Sequence, residues 1–173
     1  MTVSWGIIGP GSIANNFADG LKESTSGTLV AIASRDAGRR ASFGDKYGIA
    51  ADKRYPDHAA LLADPAVQAV YVATPHPWHA ELTIAALRAG KPVLTEKPGG
   101  MNAAEVTAIT EIAAQEGRLW AEAFMYRLHP QIARVLAVIA SGEIGAPVHI
   151  RTHFGFNAGF NETSRLYDLA LGG

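Results

Sequence analysis

The sequence predicts an α/β protein whose main part is a doubly wound parallel sheet. From residue 3 onward, short apolar runs alternate with longer stretches in which apolar residues recur every three or four positions. The glycine-rich segment Gly9-Pro10-Gly11 separates the first apolar run from the first of these stretches. Because parallel strands joined by crossover helices produce this order of segments, a doubly wound fold is expected.

Each element of this fold is predicted by a local pattern. The apolar runs have the length and composition of buried strands, and they lie at 3–8, 28–33, 69–73, 92–95 and 119–123. The intervening stretches have helical spacing, and they lie at 13–22, 37–47, 57–63, 79–89 and 103–116. Asn102 precedes the last of these helices and is followed three residues later by Glu105, an arrangement that resembles a helix cap.

The pattern changes after Phe124, which indicates a domain boundary. One more helix is predicted over 130–140, followed by a β-rich stretch over 147–157. We therefore expect a first domain over residues 1–122 and the beginning of a second α/β domain over 123–173.

Composition excludes several classes of protein. The 173-residue chain is 48% hydrophobic and 18% charged, which is typical of a globular protein with a buried core. Its net charge of -1, with basic residues spread along the chain, argues against a nucleic-acid partner. The absence of cysteine excludes disulfides, thiolate metal sites and a cysteine nucleophile. With no apolar stretch of membrane-spanning length and no leader pattern, a cytoplasmic location without membrane association is expected.

The turn after the first strand resembles a pyrophosphate-binding loop. Gly9 and Gly11 lack side chains, so the backbone can approach a dinucleotide closely, and Ser12, Ile13 and Ala14 begin the helix whose free amides would meet its charge. The alternative is an ordinary glycine-rich turn. The position of the motif between a first strand and a first helix favours cofactor binding.

The end of the second strand predicts which dinucleotide is bound. Ser34 and Arg35 occupy the position where an NAD enzyme would place a carboxylate, and Arg39 follows one turn later. Guanidinium groups suit the 2′-phosphate of NADP, so NADP is favoured over NAD. Asp36 leaves NAD open as an alternative, because it could be the ribose-binding acid displaced by a residue or two. The alternative is that these arginines form a solvated helix face.

Two further strand ends carry polar residues at the edge of the sheet where ligands bind in this fold. After the strand at 69–73 come Thr74, Pro75, His76 and His79, which are cofactor-loop candidates or else a loop shaped by proline with a capping histidine. No carboxylate or third histidine accompanies the two at ligand spacing, so a metal site is not expected.

The strand at 92–95 is followed by Glu96-Lys97-Pro98. A lysine beside a positive nicotinamide could exchange a proton with a reacting hydroxyl, which makes Lys97 the catalytic candidate. The alternative is a surface ion pair without catalytic function.

Together, Gly-Pro-Gly, Ala-Thr-Pro-His and Glu-Lys-Pro resemble the glucose-fructose oxidoreductase and inositol dehydrogenase family (Gfo/Idh/MocA). The run from Trp120 to Gln131, with the two histidines of the earlier loop, is most similar to its dihydrodiol dehydrogenase and D-xylose dehydrogenase branch. The resemblance implies an NADP-dependent dehydrogenase acting on a sugar or cyclic diol. It assigns the pyrophosphate, adenosine-phosphate and cofactor-loop contacts to the residues named above, Glu96 to the nicotinamide side and Lys97 to catalysis. It also places His79, Arg127 and Phe154 near the substrate opening.

The resemblance further implies a second domain with a mostly antiparallel sheet that covers the active site and forms a dimer or larger homo-oligomer. Family members continue beyond Gly172-Gly173 into a helix carrying a second catalytic residue. The chain is therefore expected to be truncated, and to bind cofactor without turnover on its own. Two other functions stay open: a non-catalytic NADP-binding sensor or subunit, and a relative that uses bound cofactor for net non-redox glycoside chemistry.

Overall fold

A six-stranded sheet with helices on both faces forms the centre of the protein. The computed structural model describes residues 2–155, 157, 159, 161, 164 and 167–172. The strands are β1 (Val3–Ile8), β2 (Gly27–Ala33), β3 (Arg54–Tyr55), β4 (Ala69–Val72), β5 (Val93–Thr95) and β6 (Trp120–Glu122). The helices are α1 (Ser12–Glu23), α2 (Ala37–Tyr47), α3 (His58–Ala63), α4 (His79–Arg88), α5 (Ala103–Gln115) and α6 (Pro130–Ala140). In the described part of the chain, no helix is both long and apolar enough to span a membrane.

The strand order is β3-β2-β1-β4-β5-β6, and every neighbouring pair is parallel. This is the order of the dinucleotide-binding Rossmann fold, so the predicted fold class is confirmed. The order reverses between β1 and β4, where Ile8 pairs with Val72. The loops that follow these two strands diverge to opposite sides, and the crevice between them is the usual ligand site of such sheets.

The sheet separates two apolar layers. On one face, Leu61, Leu87 and Ile109 bring α3, α4 and α5 against the strands, and all three are fully buried. On the other face, Ala14 of α1 and Phe43 of α2 pack against side chains of β1, β2 and β4. Both faces of β4 are therefore covered, which explains why its sequence is an uninterrupted apolar run rather than an alternating one.

The strands and helices predicted over residues 3–123 are all present, within two residues at each end. One strand was missed. β3 has two residues, pairs only with Ile32 and Ala33 at the edge of the sheet, and has no apolar run from which it could be predicted.

The helix predicted over 130–140 is confirmed, with the side chain of His129 accepting a hydrogen bond from the Gln131 amide as its cap. The β-rich prediction for 147–157 is wrong where it can be compared, because the described residues 147–155 and 157 form no strand; residue 156 lies outside the described residues. Val148 is 96% exposed and Ile150 75%. A strand needs a partner to satisfy its backbone, and no described segment pairs with this one.

Candidate cofactor and active site

The loop between β1 and α1 approaches the end of β4 closely. Gly9 has a φ of +92°, and a Cβ atom there would lie 2.9 Å from the Thr74 Cγ2 atom and 3.0 Å from its amide nitrogen. Glycine is therefore required by conformation and by space. Helix α1 starts directly after Gly11, and no described side chain caps it. Its first amides are thus available to an anion, as the loop motif predicted.

Asp36 at the end of β2 is a helix cap. Its carboxylate accepts a hydrogen bond of 2.9 Å from the Arg39 amide and lies 3.5 Å from the Arg39 Nε atom. The hydrogen bond from the Arg39 backbone is the largest cause that lowers the pKa of this exposed carboxyl. Burial opposes it, and the charge of Arg39, the Gly38 amide and the charge of Arg40 lower the pKa further. The carboxylate that kept NAD open as an alternative is therefore engaged in starting α2.

Ser34 and Arg35 lie beside this cap. The Asp36 amide donates to the Ser34 Oγ atom at 3.2 Å. The Arg35 guanidinium carbon lies 6.0 Å from the centre of the Trp78 ring, which belongs to the loop after β4. Arg39 itself borders a cavity of about 290 Å³ between α1 and α2 that also includes Pro10. The end of β2 thus presents cations to the region next to the pyrophosphate-type loop.

A second cavity, of about 220 Å³, brings together residues from the first, fourth and fifth strand ends. Its wall is formed by Ser12, Ile13, Thr74, His76, His79, Glu96 and Lys97. The Thr74 Oγ1 atom is buried and has no hydrogen-bond partner among the described residues. A buried hydroxyl without a partner is costly, so this wall fits a polar ligand such as a dinucleotide.

Lys97 is carried by a loop that side chains hold at several points. The Tyr71 hydroxyl donates to the Glu96 Oε1 atom at 2.5 Å, and the Gly99 amide donates to the Glu122 Oε1 atom at 2.7 Å. The Glu96 amide also donates to the Val72 carbonyl oxygen. Lys97 itself is exposed at the cavity. The backbone on both sides of the lysine is therefore fixed while its side chain can reach a ligand.

His79 lines this cavity, but both nitrogens of its ring face the protein. Its ring is fully buried, with Nδ1 2.7 Å from the Pro98 carbonyl oxygen and Nε2 2.7 Å from the Thr74 carbonyl oxygen. A neutral imidazole has one N–H to donate, and only the doubly protonated ring can donate to both carbonyls. Since both nitrogens face the protein, His79 joins the loop after β4 to the loop carrying Lys97.

The structure does not bring all the expected substrate residues to the cavity. Arg127 lies on the exposed 3₁₀ turn Met125–Leu128, and Phe154 is 92% exposed outside any helix or strand. Neither borders the cavity that contains Lys97. Among the described residues, no group of three histidine or acidic side chains is placed to hold a metal ion.

Two contributors to the site were missed from the sequence, Tyr71 and Glu122. Tyr71 is part of an apolar strand run and was assigned to the core, while Glu122 is the last residue of β6. Strand alternation could have indicated Tyr71, because Tyr71 pairs with Leu94 and Glu96 lies two residues further along the same face.

Known proteins that are similar to this chain are oxidoreductases. The model of the GFO_IDH_MocA family, described as an oxidoreductase family with an NAD-binding Rossmann fold, matches residues 3–124. The trans-1,2-dihydrobenzene-1,2-diol dehydrogenase of Mus musculus is 37% identical over 175 residues, covering the whole chain and 52% of that protein. The Homo sapiens protein of the same name is 35% identical over 159 residues, covering 91% of the chain and 47% of that protein. The chain spans about half the length of these curated relatives.

Solved structures of oxidoreductases with bound dinucleotides are also similar to this chain. A 3-ketoreductase from Actinomadura kijaniata in complex with NADP is 35% identical with a TM-score of 0.75, covering 84% of the chain and 46% of that protein. An oxidoreductase from Agrobacterium radiobacter in complex with NAD+, L-tartaric acid and magnesium is 29% identical with a TM-score of 0.79, covering 85% of the chain and 42% of that protein.

Proposed function

Because the chain belongs to the GFO/IDH/MocA oxidoreductase family, we propose that it forms the cofactor-binding part of an NADP-dependent dehydrogenase. The reaction would transfer hydride between the nicotinamide and a hydroxyl-bearing carbon of a cyclic diol or sugar. One observation carries the proposal: Lys97 and Glu96 line the same cavity as Ser12 and Ile13, which begin the helix that follows the glycine loop.

The cofactor would lie across the carboxyl ends of β1, β2, β4 and β5. Its pyrophosphate would meet the amides at the start of α1, where the helix dipole favours negative charge. Ser34, Arg35 and Arg39 would hold the adenosine 2′-phosphate, for which guanidinium groups are suited. Thr74, Pro75 and His76 would border the middle of the molecule, and Glu96 with Lys97 the nicotinamide. The structures of relatives with NADP and with NAD+ support a dinucleotide here.

When bound, the nicotinamide supplies the acceptor or donor of the hydride. Lys97 would hold or accept the proton of the substrate hydroxyl, because its Nζ atom lies on an exposed side chain at the cavity. His79 would orient this lysine by fixing the Pro98 carbonyl, and Glu122 would do so by fixing the Gly99 amide. The names of the curated relatives support a diol as substrate.

We also propose that a second unit begins near residue 123 and contributes to a homo-oligomer. The sheet ends with β6 at Glu122, and no residue of α6 is buried. Leu128 is 90% exposed and Leu136 60%, and such side chains are expected to be covered in an assembly. Size measurement by light scattering over a range of concentrations tests this, and a monomer throughout would refute it.

The test of the proposed function is the substitution Lys97→Met in the full-length protein. Methionine keeps most of the side-chain volume and removes the proton-carrying amine. We expect NADP binding within about twofold of the wild type and turnover of a diol and sugar panel reduced about 100- to 10,000-fold. Binding is measured by calorimetry and turnover by NADPH absorbance. Wild-type protein that binds NADP but turns over no substrate would favour the non-catalytic alternative, and near-normal turnover by Lys97→Met would exclude Lys97 as the acid/base.

A further inference from the structure

Tyr71 places a polar group inside an apolar layer. It lies within β4, is only 2% exposed, and stacks on Phe17 of α1 with 4.1 Å between ring centres. The surrounding buried side chains, Ile7 and Ile32 among them, are apolar. A phenylalanine would satisfy this packing equally well, so packing alone does not explain the hydroxyl.

Among the described residues, the hydroxyl has one hydrogen-bond partner, the carboxylate of Glu96. The register pairs Tyr71 with Leu94, and alternation returns Glu96 to the same face two residues later, just beyond the end of β5. The Tyr71 hydroxyl donates to the Glu96 Oε1 atom at 2.5 Å. A carboxylate has two oxygens, so a hydrogen bond to one of them fixes its orientation and leaves the other able to accept from a ligand.

Tyr71 is suited to be a permanent donor. Burial, and then the neighbouring Glu96 carboxylate, raise the pKa of its hydroxyl far above the usual range. The phenol is therefore protonated at neutral pH and can donate. Glu96, at its other side, borders the cavity together with Lys97.

We propose that Tyr71 is a positioning residue that orients the Glu96 carboxylate toward the nicotinamide end of the cofactor and so favours the oxidised form. This inference rests on the proposed function. The oxidised ring carries a positive charge that a fixed carboxylate attracts, whereas the reduced ring is neutral. The adenosine half of the cofactor would lie at β2, which is separated by β1 from the strands that carry this pair, so its binding should be unaffected.

The experiment measures the binding of NADP⁺, NADPH and 2′,5′-ADP to wild-type, Tyr71→Phe, Glu96→Gln and Tyr55→Phe proteins by calorimetry. Tyr71→Phe keeps the ring on Phe17 and removes only the hydroxyl. Glu96→Gln keeps an oxygen that accepts from Tyr71 and removes the charge. Tyr55→Phe is the matched control, since the Tyr55 hydroxyl also donates to a carboxylate, that of Asp64 in the turn leading into β4. Thermal melting confirms that each variant is folded.

We expect Tyr71→Phe and Glu96→Gln to weaken NADP⁺ binding about tenfold, NADPH binding less than about threefold, and 2′,5′-ADP binding not at all. Tyr55→Phe should leave all three affinities unchanged. Tyr71→Phe added to Glu96→Gln should change the ratio of NADP⁺ to NADPH affinity no further, because the charge it orients is already absent.

Equal loss of all three ligands in Tyr71→Phe, or none, would overturn the inference, as would an unchanged NADP⁺ to NADPH ratio in Glu96→Gln. Glu96→Gln tests the inference even if Tyr71→Phe does not fold. Failure of the wild type to bind any of the three ligands would instead contradict the proposed function itself.

Discussion

Arg35 is the side chain on which the proposed preference for NADP chiefly depends. It lies at the end of β2, beside the Ser34 hydroxyl and across from the Trp78 ring. Asp36, which in an NAD enzyme could have bound the ribose, is committed to the cap of α2. Positive charge without a competing free carboxylate favours the 2′-phosphate.

We therefore predict that Arg35→Ala weakens NADP binding by about 1.5 to 3 kcal/mol, or roughly 10- to 150-fold, and NAD binding less than about twofold. Calorimetric titration with both cofactors measures the difference. Arg88→Ala is the control, because Arg88 is exposed in the last turn of α4 and borders neither cavity. A loss of equal size for NAD and NADP would remove Arg35 from the 2′-phosphate site.

The sequence predicted those site residues whose position follows from a strand end. Lys97, Glu96 and Thr74 follow strands directly, so the edge on which they lie was known once the fold was known. The role of His79 could not be predicted, because its partners are carbonyl oxygens 5 and 19 residues away. Backbone contacts of this kind depend on how loops pack and have no sequence pattern.

At the scale of elements, the spacing of apolar residues predicted the helices and most of the strands up to β6. The prediction failed for segments whose structure depends on a neighbouring strand. β3 exists because Ile32 and Ala33 offer an edge to pair with, not because of its own residues. The stretch from 147 has apolar residues at strand-like spacing, but the described part of the chain gives it no edge. The spacing of apolar residues specifies which face of a segment is apolar. The segment forms a strand only if a neighbouring strand can hydrogen-bond to its backbone.

Helix α5 begins with a cap that also ends the loop carrying Lys97. The Asn102 side chain accepts from the Glu105 amide at 3.0 Å, and the Glu105 Oε2 atom accepts from the Met101 amide at 2.8 Å. Asn102→Ala removes the cap and should lower the free energy of unfolding by about 1 kcal/mol.

Chemical denaturation measures this change. Asn102→Asp is the matched variant, because aspartate keeps an oxygen that can accept from the Glu105 amide, and it should retain most of the wild-type stability. If Asn102→Ala unfolds at the wild-type denaturant concentration, the cap contributes nothing to stability.

At the scale of the whole molecule, the two edges of the sheet have different roles. The cavities lie at the edge formed by the carboxyl ends of the strands. At the opposite edge, a cluster of polar side chains stabilises the turn that leads into β4. Asp64 accepts hydrogen bonds from Lys53 and Tyr55, and the buried Lys91 donates to the carbonyl oxygens of Asp64 and Val67. Burial lowers the pKa of Lys91. This cluster links the segments next to β3, β4 and β5, and its side chains border neither cavity.

Asp64 gives a prediction for acid stability. Burial alone would raise its pKa, but hydrogen bonds from Lys53, the Ala66 amide and Tyr55 outweigh burial and lower the pKa to about 2. Because the folded pKa lies below the unfolded value, the stabilisation is present at neutral pH and is lost as the pH falls from about 4 to 2. Its size is about 2 kcal/mol.

Urea unfolding of wild-type and Asp64→Asn proteins between pH 2 and pH 7 tests this. The wild type should lose about 2 kcal/mol more than the variant as the pH falls across this window. Parallel curves for the two proteins would show that Asp64 does not contribute to the acid sensitivity.

The buried ring of His79 determines how a substitution at this position affects the two loops that it contacts. The loops at Thr74 and Pro98 are separated along the chain by all of α4 and β5, and the His79 ring contacts both, with Nε2 near the Thr74 carbonyl oxygen and Nδ1 near that of Pro98. Replacing the ring by a small side chain removes the contacts to both loops at once. In steady-state kinetics of the proposed dehydrogenase, such a substitution would therefore change both the Michaelis constant for the cofactor and the turnover number.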